Sequence, residues 1–561
     1  MPRFFVTSLA LVLTLAAGCT DGTDSLDGDA GQEDGSANSM DGSMNDGGLG
    51  DDAGEDGSTS GDAIIPPGSE VPAWLSDCER EQILLLVNDA YVWGYQLVAL
   101  GLADDLSWSI VNRRNGPDRR FGTADDSPFV SLDDLATVPG LTEADWRLLA
   151  DGSNDGCALP DETPAFEVRF TSPQCAAIPD RDIAAGVRCY GSSDEREASA
   201  EAAGVVSKII SWVNSARRIK EAHPERDVSI LMAYLSWSNS SVYRSICRAT
   251  AAGVRFEGYF DAGAAGGQPQ RLADDADCNP DNIDVHLLGG ITDYPDWRLM
   301  HIKLMMLDTG EPSTRLAFGS ANLTSTGVSL HHENWVFSRF PSDSHFVASH
   351  DCARQALYAD RYAEDGSYPE AFRATYDACV AALPSAEDPN YRVIFSPDTE
   401  AGPMNEAISL IDSATTRVDM AIQHFSAFPL GSSLKRSALR EGLSTRLLLD
   451  DDTYYDGGDT GGVDHALYEY IADEPLLGIK FLQTNRFLSA RSWQYQHNKF
   501  IIADDTVFCG AGNFTVVAFE DNYENFYVIR DAAFRTAFEA GFERLYGLGA
   551  DAASLPTEEM Y

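Results

Sequence analysis

Two stretches of this chain repeat one another in residue type, order and spacing, and the repetition limits the possible folds more than any other feature. The first reads His301-Ile302-Lys303-Leu304-Met305-Met306-Leu307-Asp308, then Gly319-Ser320-Ala321-Asn322, then Glu333-Asn334-Trp335. The second reads His497-Asn498-Lys499-Phe500-Ile501-Ile502-Ala503-Asp504, then Gly510-Ala511-Gly512-Asn513, then Glu524-Asn525-Phe526. In both copies Asn and Glu stand eleven residues apart. One His-x-Lys-x4-Asp match in a long chain carries little weight. Two matches with the same later residues at the same offset do not arise by chance.

The sequence around each copy repeats as well. Short apolar segments that read as strands run over Phe166–Thr171, Val228–Ser236, Val254–Tyr259, Ile283–Leu288 and His301–Asp308. The same order recurs in Tyr391–Ser396, Arg417–Ser426, Ser444–Leu449, Gly478–Gln483 and His497–Asp504. An amphipathic segment follows the second strand of each set, Val242–Ala252 and Leu434–Glu441. Strands alternating with helices imply an α/β architecture. The predicted fold is therefore two duplicated α/β lobes, residues 161–388 and 389–561. The second strands are aligned by their ends, Met232 to Ser236 against Ile422 to Ser426, which sets His424 opposite Tyr234.

On a strand, residues two apart face the same side. His301 projects with Lys303, and His497 with Lys499. Juxtaposing the two motifs collects two imidazoles and two ammonium groups around one space. That set suits a phosphodiester: lysines and asparagines hold the non-bridging oxygens, and their hold strengthens as the transition state gathers charge. One histidine attacks phosphorus while the other protonates the leaving oxygen. The lysines supply the positive charge, so the chemistry calls for no metal or other cofactor.

With these motifs the chain resembles two-motif members of the phospholipase D superfamily over residues 164–548. The resemblance implies two lobes packed with pseudo-twofold symmetry so that the motifs meet at the axis. It implies His301 as nucleophile and His497 as general acid, then base. Lys303, Lys499, Asn322, Asn513 and Ser320 would bind phosphate, and Glu333 and Glu524 would orient the opposing histidines. The motif acids Asp308 and Asp504 would support structure away from the phosphate. The second copy departs from the family pattern in having Gly510-Ala511, which removes one hydroxyl. His331 and His332 are candidates for the pocket rim, and His424 for its lining.

Residues 1–19 read as an export signal. Arg3 precedes an uncharged, mostly apolar run from Phe4 to Ala17, too short to span a bilayer. The run leads into Leu15-Ala16-Ala17-Gly18-Cys19, which resembles a bacterial lipobox with Ala16 where Leu is usual. Cys19 would then carry the lipid that anchors the protein to the cell envelope. Residues 20–66 hold 13 acidic residues and no basic one, with almost nothing apolar, and are expected to form an unfolded tether. From Pro67 onward 75 acidic residues face 39 basic ones, leaving −36. Such a surface repels polyanions and counts against nucleic acid as a partner.

Address and charge together point to a phospholipid substrate and a head-group phosphodiesterase, expected to be monomeric. An exported nuclease, a phosphatidyltransferase and a non-catalytic scaffold are the alternatives. Loss of a motif His or Lys would favour the scaffold, and none is lost.

Residues 67–160 read as a small helical module. Ile83–Val87 begins one helix, Trp108–Arg114 forms another, and Leu132–Leu135 starts a third. The part around Val138-Pro139-Gly140-Leu141 resembles a helix-hairpin-helix, but it lacks flanking Lys or Arg, so a packing role is expected. The Asp118–Asp126 loop is expected to be a solvated turn. In an exported chain, cysteine spacing suggests the pairs Cys78–Cys157, Cys175–Cys189, Cys247–Cys278 and Cys352–Cys379, with Cys509 a buried thiol in an apolar strand.

Overall fold

A computed structural model describes residues 70–153, 157–159, 162–171, 200–264, 267–275, 278–291, 298–324, 326–328, 331–362, 370–398, 400–455, 462–482 and 495–555. The expected signal, Cys19, the acidic run and the expected Cys175–Cys189 pair lie outside these residues. The first sheet comprises β1 (Ala165–Phe170), β2 (Ser229–Tyr234), β3 (Arg255–Asp261), β4 (Ile283–Leu288), β5 (Lys303–Asp308), β6 (Ser313–Gly319) and β7 (Asn334–Pro341). Their order across the sheet is β1-β7-β6-β5-β2-β3-β4. The second comprises β8 (Tyr391–Ser396), β9 (Arg417–Ile422), β10 (Ser444–Asp450), β11 (Gly478–Leu482), β12 (Lys499–Ala503), β13 (Thr506–Gly510) and β14 (Glu524–Ile529). From the matching edge its order is β8-β14-β13-β12-β9-β10-β11, strand for strand the same. The chain is thus two α/β lobes of one topology.

Each sheet is mixed for a local reason. β2, β3 and β4 run parallel, as do β9, β10 and β11. Parallel neighbours need a crossover, supplied by the helices Ser240–Ala251 and Gln268–Asp274 in one lobe and Phe428–Ala438 and Val463–Ala472 in the other. β5–β7 and β12–β14 return as antiparallel strands carrying the motifs. The central strands are apolar on both faces and almost wholly buried, as sheets covered on both sides require.

The inner faces of the two lobes share one hydrophobic core. Leu304, Phe318, Val336 and Phe346 pack with Phe500, Val507, Tyr527 and Phe538, and the Phe318 and Tyr527 rings stack at 3.8 Å. At its motif end the junction is sealed by reciprocal backbone contacts. Met300 bridges Tyr523, and His332 bridges Gln496. These contacts correct one sequence expectation. β5 and β12 begin at Lys303 and Lys499, not at the histidines, because residues 299–301 bond to Tyr523 of the other lobe: His301 N donates to its carbonyl at 2.9 Å, and Tyr523 N to Leu299 O at 2.9 Å.

Ahead of the lobes, among the described residues, stand five helices, Asp77–Asn88, Gly94–Ala99, Asp104–Asn115, Leu132–Leu135 and Glu143–Ser153, around Ile83, Ile110, Leu135 and Trp146. The start of the helix Asp77–Asn88 is fixed by a capping box between Ser76 and Glu79, six residues before the apolar run that marked it in sequence. Val138 and Leu141 of the hairpin are buried in this core, and Gly140 takes φ +89° at the turn between them. The Asp118–Asp126 loop satisfies its own carboxylates: Asp125 accepts from Asp118 N, and Asp126 from Gly122 N. The module is closed on itself by Cys78–Cys157 and fastened to the first lobe by Asp89, which pairs with Arg217 at 2.6 Å and Arg218 at 2.9 Å, all three buried. Disulfides also join Cys247–Cys278 and Cys352–Cys379, and Cys509 is a buried thiol in β13.

Candidate active site

The lobe junction brings His301, Lys303, His497 and Lys499 to one place, each almost wholly buried. Each histidine comes from one lobe and its acid from the other. His301 Nδ1 lies 2.8 Å from Glu524 Oε2 in a hydrogen bond. His497 Nδ1 approaches Glu333 Oε1 to 2.6 Å, without the alignment of a hydrogen bond. Lys303 Nζ stands 3.1 Å from His301 Nε2 and also donates to His301 O. Lys499 Nζ donates to His497 O at 2.8 Å and to Gln423 Oε1 at 3.4 Å.

An ammonium can only donate, so Lys303 beside Nε2 fixes the tautomer of His301. The proton sits on Nδ1, facing Glu524, and Nε2 presents a lone pair inward. Burial, then the charges of Lys303 and Lys499, hold the imidazole of His301 well below its usual range. Burial, then Lys499, does the same for His497. Both carboxyls move the other way: burial pushes Glu333 and Glu524 up to about 8, against the pull of the lysines. Every shift disfavours isolated charge in a dry site, as desolvation requires.

The loops after β6 and β13 are set by glycine. Gly319 and Gly510 have φ of +152° and +159°, and a Cβ on either would stand 2.2 Å from Asn334 O or 2.0 Å from Asn525 O. These loops carry Asn322 and Asn513, whose Oδ1 atoms are both buried without a hydrogen-bond partner. A half-rotation of either amide would turn its N–H groups into the same space, where a phosphoryl oxygen could accept from them.

Ser320 has a different partner from the phosphate expected of it. Fully buried, its hydroxyl donates to Glu333 Oε2 at 2.6 Å. In the other half Ala511 cannot do this, and Asn522 Nδ2 donates to Glu524 Oε1 at 3.3 Å instead. The Gly-Ala departure therefore leaves neither carboxyl unattended. Asp504 accepts from the backbone N–H of Thr415, Thr416 and Arg417 and from both threonine hydroxyls, clamping the turn into β9. Asp308 accepts from Gly310 N in its own turn.

Three sets of residues were not assigned from sequence. Asp261 and Asp450 end β3 and β10, and each accepts from the backbone N–H just before a motif histidine, Met300 at 2.8 Å and Gln496 at 2.6 Å. Asn525 brackets Lys303, accepting from its N–H and donating to its carbonyl. Gln423 meets Lys499. The signal for the first set was present, since an Asp stands just past each third strand as read from sequence, Asp261 after Tyr259 and Asp450 after Leu449.

His331 is near the site, its ring 5.7 Å from that of His497, while His332 is buried and joins the lobes through its backbone. His424 bonds through Nδ1 to Asp464 at 3.1 Å. Its partner in the repeat is corrected by register. Ile422 faces Lys499 as Tyr234 faces Lys303, so His424 corresponds to Ser236 and not to Tyr234. A two-residue slip preserves the alternation of strand faces, so the hydrophobic pattern could not reveal it.

A family profile described as cardiolipin synthase, PLD-like domain, matches residues 216–348 and 407–546, one segment in each lobe. Among solved structures, a phospholipase D family member, Nuc from Salmonella typhimurium, is 29% identical over 29% of this chain and 98% of its own, with a TM-score of 0.25. Phosphatidylserine synthase from Haemophilus influenzae is 12% identical over 62% of this chain and 89% of its own, TM-score 0.40. Yeast tyrosyl-DNA phosphodiesterase is 10% identical over 55% and 84%, TM-score 0.32. No curated protein matches.

Proposed function

Since this chain belongs to the phospholipase D superfamily, whose members act as phosphodiesterases and phosphotransferases, we propose that it is an exported, lipid-anchored enzyme that hydrolyses phospholipid head groups through a phosphohistidine. One observation carries the chemistry: two buried imidazoles, each with Nδ1 on a buried glutamate of the opposite lobe, beside two buried lysines. In this reading Nε2 of His301 bonds to phosphorus as the bond to the leaving oxygen breaks, and that oxygen takes the proton of His497. His497 then removes a proton from water, whose oxygen displaces His301. Lys303, Lys499, Asn322 and Asn513 hold the non-bridging oxygens throughout.

Three features favour lipid over nucleic acid. The chain beyond the tether is strongly acidic. The motif at Cys19 suits an anchor. Exposed apolar side chains also lie close in sequence to residues that adjoin the site: Phe428 follows Ala427, which bonds to Phe514, the residue after Asn513; Val516 lies two past Phe514; and Val463 precedes Asp464, which meets His424. Exposed apolar groups suit a substrate presented at a lipid surface.

The description of the matched family favours a second reading, in which the hydroxyl of another lipid replaces water as acceptor. Residues 67–561 incubated with mixed phospholipid vesicles, with or without a primary alcohol, and separately with single-stranded and duplex DNA, test both. Head-group release is expected, with a transphosphatidylation product when alcohol is present. DNA cleavage with inert lipid would overturn the lipid reading. Conversion of Cys19→Ser should release active protein from membranes, and unchanged partitioning would overturn the anchor.

A further inference from the structure

Neither motif histidine lies within the strands of its own sheet. β5 and β12 begin two residues later, so no ladder of the same lobe reaches the backbone that carries the imidazoles. The far lobe holds that backbone on one side: His301 N donates to Tyr523 O at 2.9 Å, and His497 N to His332 O at 3.0 Å. The tie to the same lobe runs through the residue that ends β3 or β10.

In the first lobe this is Asp261, only 1% exposed, whose carboxylate gathers four backbone N–H groups. Oδ1 accepts from Gly263 at 2.8 Å and Ala264 at 3.1 Å, and Oδ2 from Gly290 at 2.9 Å and Met300 at 2.8 Å. In the second lobe it is Asp450, buried to the same degree, whose Oδ1 accepts from Asp452 N at 3.1 Å and Oδ2 from Gln496 N at 2.6 Å. Met300 and Gln496 are the residues immediately before His301 and His497. In each half, therefore, two successive N–H groups are held from two directions, by a carboxylate of the same lobe and a carbonyl of the other. An ionised acceptor makes the stronger kind of hydrogen bond. Its removal leaves buried N–H groups unsatisfied, and the backbone must shift to find another partner.

Resting on the two-histidine mechanism above, we propose that Asp261 and Asp450 are positioning residues, one for each histidine and hence one for each step of the reaction. Both act through the main chain, fixing the peptide from which an imidazole extends so that its Nε2 meets phosphorus or the proton in line. A misplacement of about 1 Å at such a point costs about 100-fold in rate. The hold is alike in the two halves, but its consequence is not, because the histidines do different work. Loss of Asp261 displaces the nucleophile. Loss of Asp450 displaces the group that serves first the leaving oxygen and then water.

Bis(p-nitrophenyl) phosphate separates the two steps, because its leaving group needs no protonation. Release of p-nitrophenolate then reports attack by His301, and decay of the adduct reports activation of water by His497. The full chain is mixed in excess with this ester; absorbance follows release, and quenching in alkali with mass spectrometry follows the adduct. Asp261→Ala should slow release by about 100-fold and show no more adduct than the parent. Asp450→Ala should release p-nitrophenolate at the parent's rate but lengthen the life of phospho-His301 by about 100-fold. A merely structural role would loosen the whole site and slow release in both variants alike. That result, or parental behaviour in both, would overturn the proposal. Should an alanine variant not fold, its asparagine counterpart, of the parent's volume, is read in the same way. An unlabelled His301 in the parent would instead overturn the covalent mechanism, and the assignment of steps with it.

Discussion

His301 and His497 occupy equivalent places in their half-sites, and the contacts of His301 fix where its proton sits. With Nδ1 on Glu524 and Lys303 at Nε2, His301 has the tautomer of a nucleophile. His301→Ala should therefore abolish both turnover and covalent labelling. His497→Ala should cripple turnover, yet a substrate with a good leaving group should still form phospho-His301. That adduct should persist, because no base remains to activate water. An adduct on His497 in the His301 variant would reverse the roles. The glutamates add a pH dependence whose sign follows from burial. Raised to about 8, Glu524 is neutral below that pH and accepts from Nδ1–H only as an uncharged carboxyl; above it, the carboxylate gives the stronger, charge-assisted bond. Turnover should climb as pH approaches 8 and then level. Glu524→Gln should lose the climb and cost about 100-fold or more in kcat. An unchanged pH profile in that variant would remove Glu524 from the proton path.

The turn from Asp504 into β13 shows how one motif residue serves an element and not the chemistry. Asp504 sits at φ +49°, and its carboxylate, accepting five hydrogen bonds from Thr415, Thr416 and Arg417, is held far below its usual pKa despite the opposing push of burial. Its contribution is complete above the unfolded value of about 3.9 and is lost as pH falls toward the depressed folded value. Asp504→Asn should cost about 1–2 kcal/mol in urea unfolding at pH 7, discounted for partial exposure, with the gap closing in acid. A constant gap across that range would point to another cause. Strands whose residues alternate or run apolar, such as β4 and β8, were legible to the residue. β6, β7 and β14 were not singled out, because their ends carry Gly319, Asn334 and Glu524, which read as motif rather than strand. The starts of β5 and β12 were misplaced because their first residues pair across the lobes. His424 was set against the wrong partner because a slip of two leaves the pattern unchanged. Local chemistry was visible in the sequence; register and cross-lobe pairing were not.

The helical module illustrates the same limit over longer distances. Its docking rests on Asp89 with Arg217 and Arg218, more than a hundred positions apart, and no spacing rule points to it. Burial alone would raise this carboxyl; Arg218 and Arg217 lower it instead. Asp89→Ala would leave two arginines buried without their partner, and should cost about 3–5 kcal/mol. The melting temperature should fall, and protease should cleave between the module and the first lobe. A variant as stable and resistant as the parent would show that the Asp89 pairs do not hold the module. The crossed wiring of the half-sites reaches further. Because His301 depends on Glu524 and Tyr523, and His497 on Glu333 and His332, neither lobe contains a working half of anything. Catalytic competence therefore reports the docking of the lobes. A separation too small to melt any strand would already strip both imidazoles of their acids, so heat or denaturant should silence this protein before it unfolds.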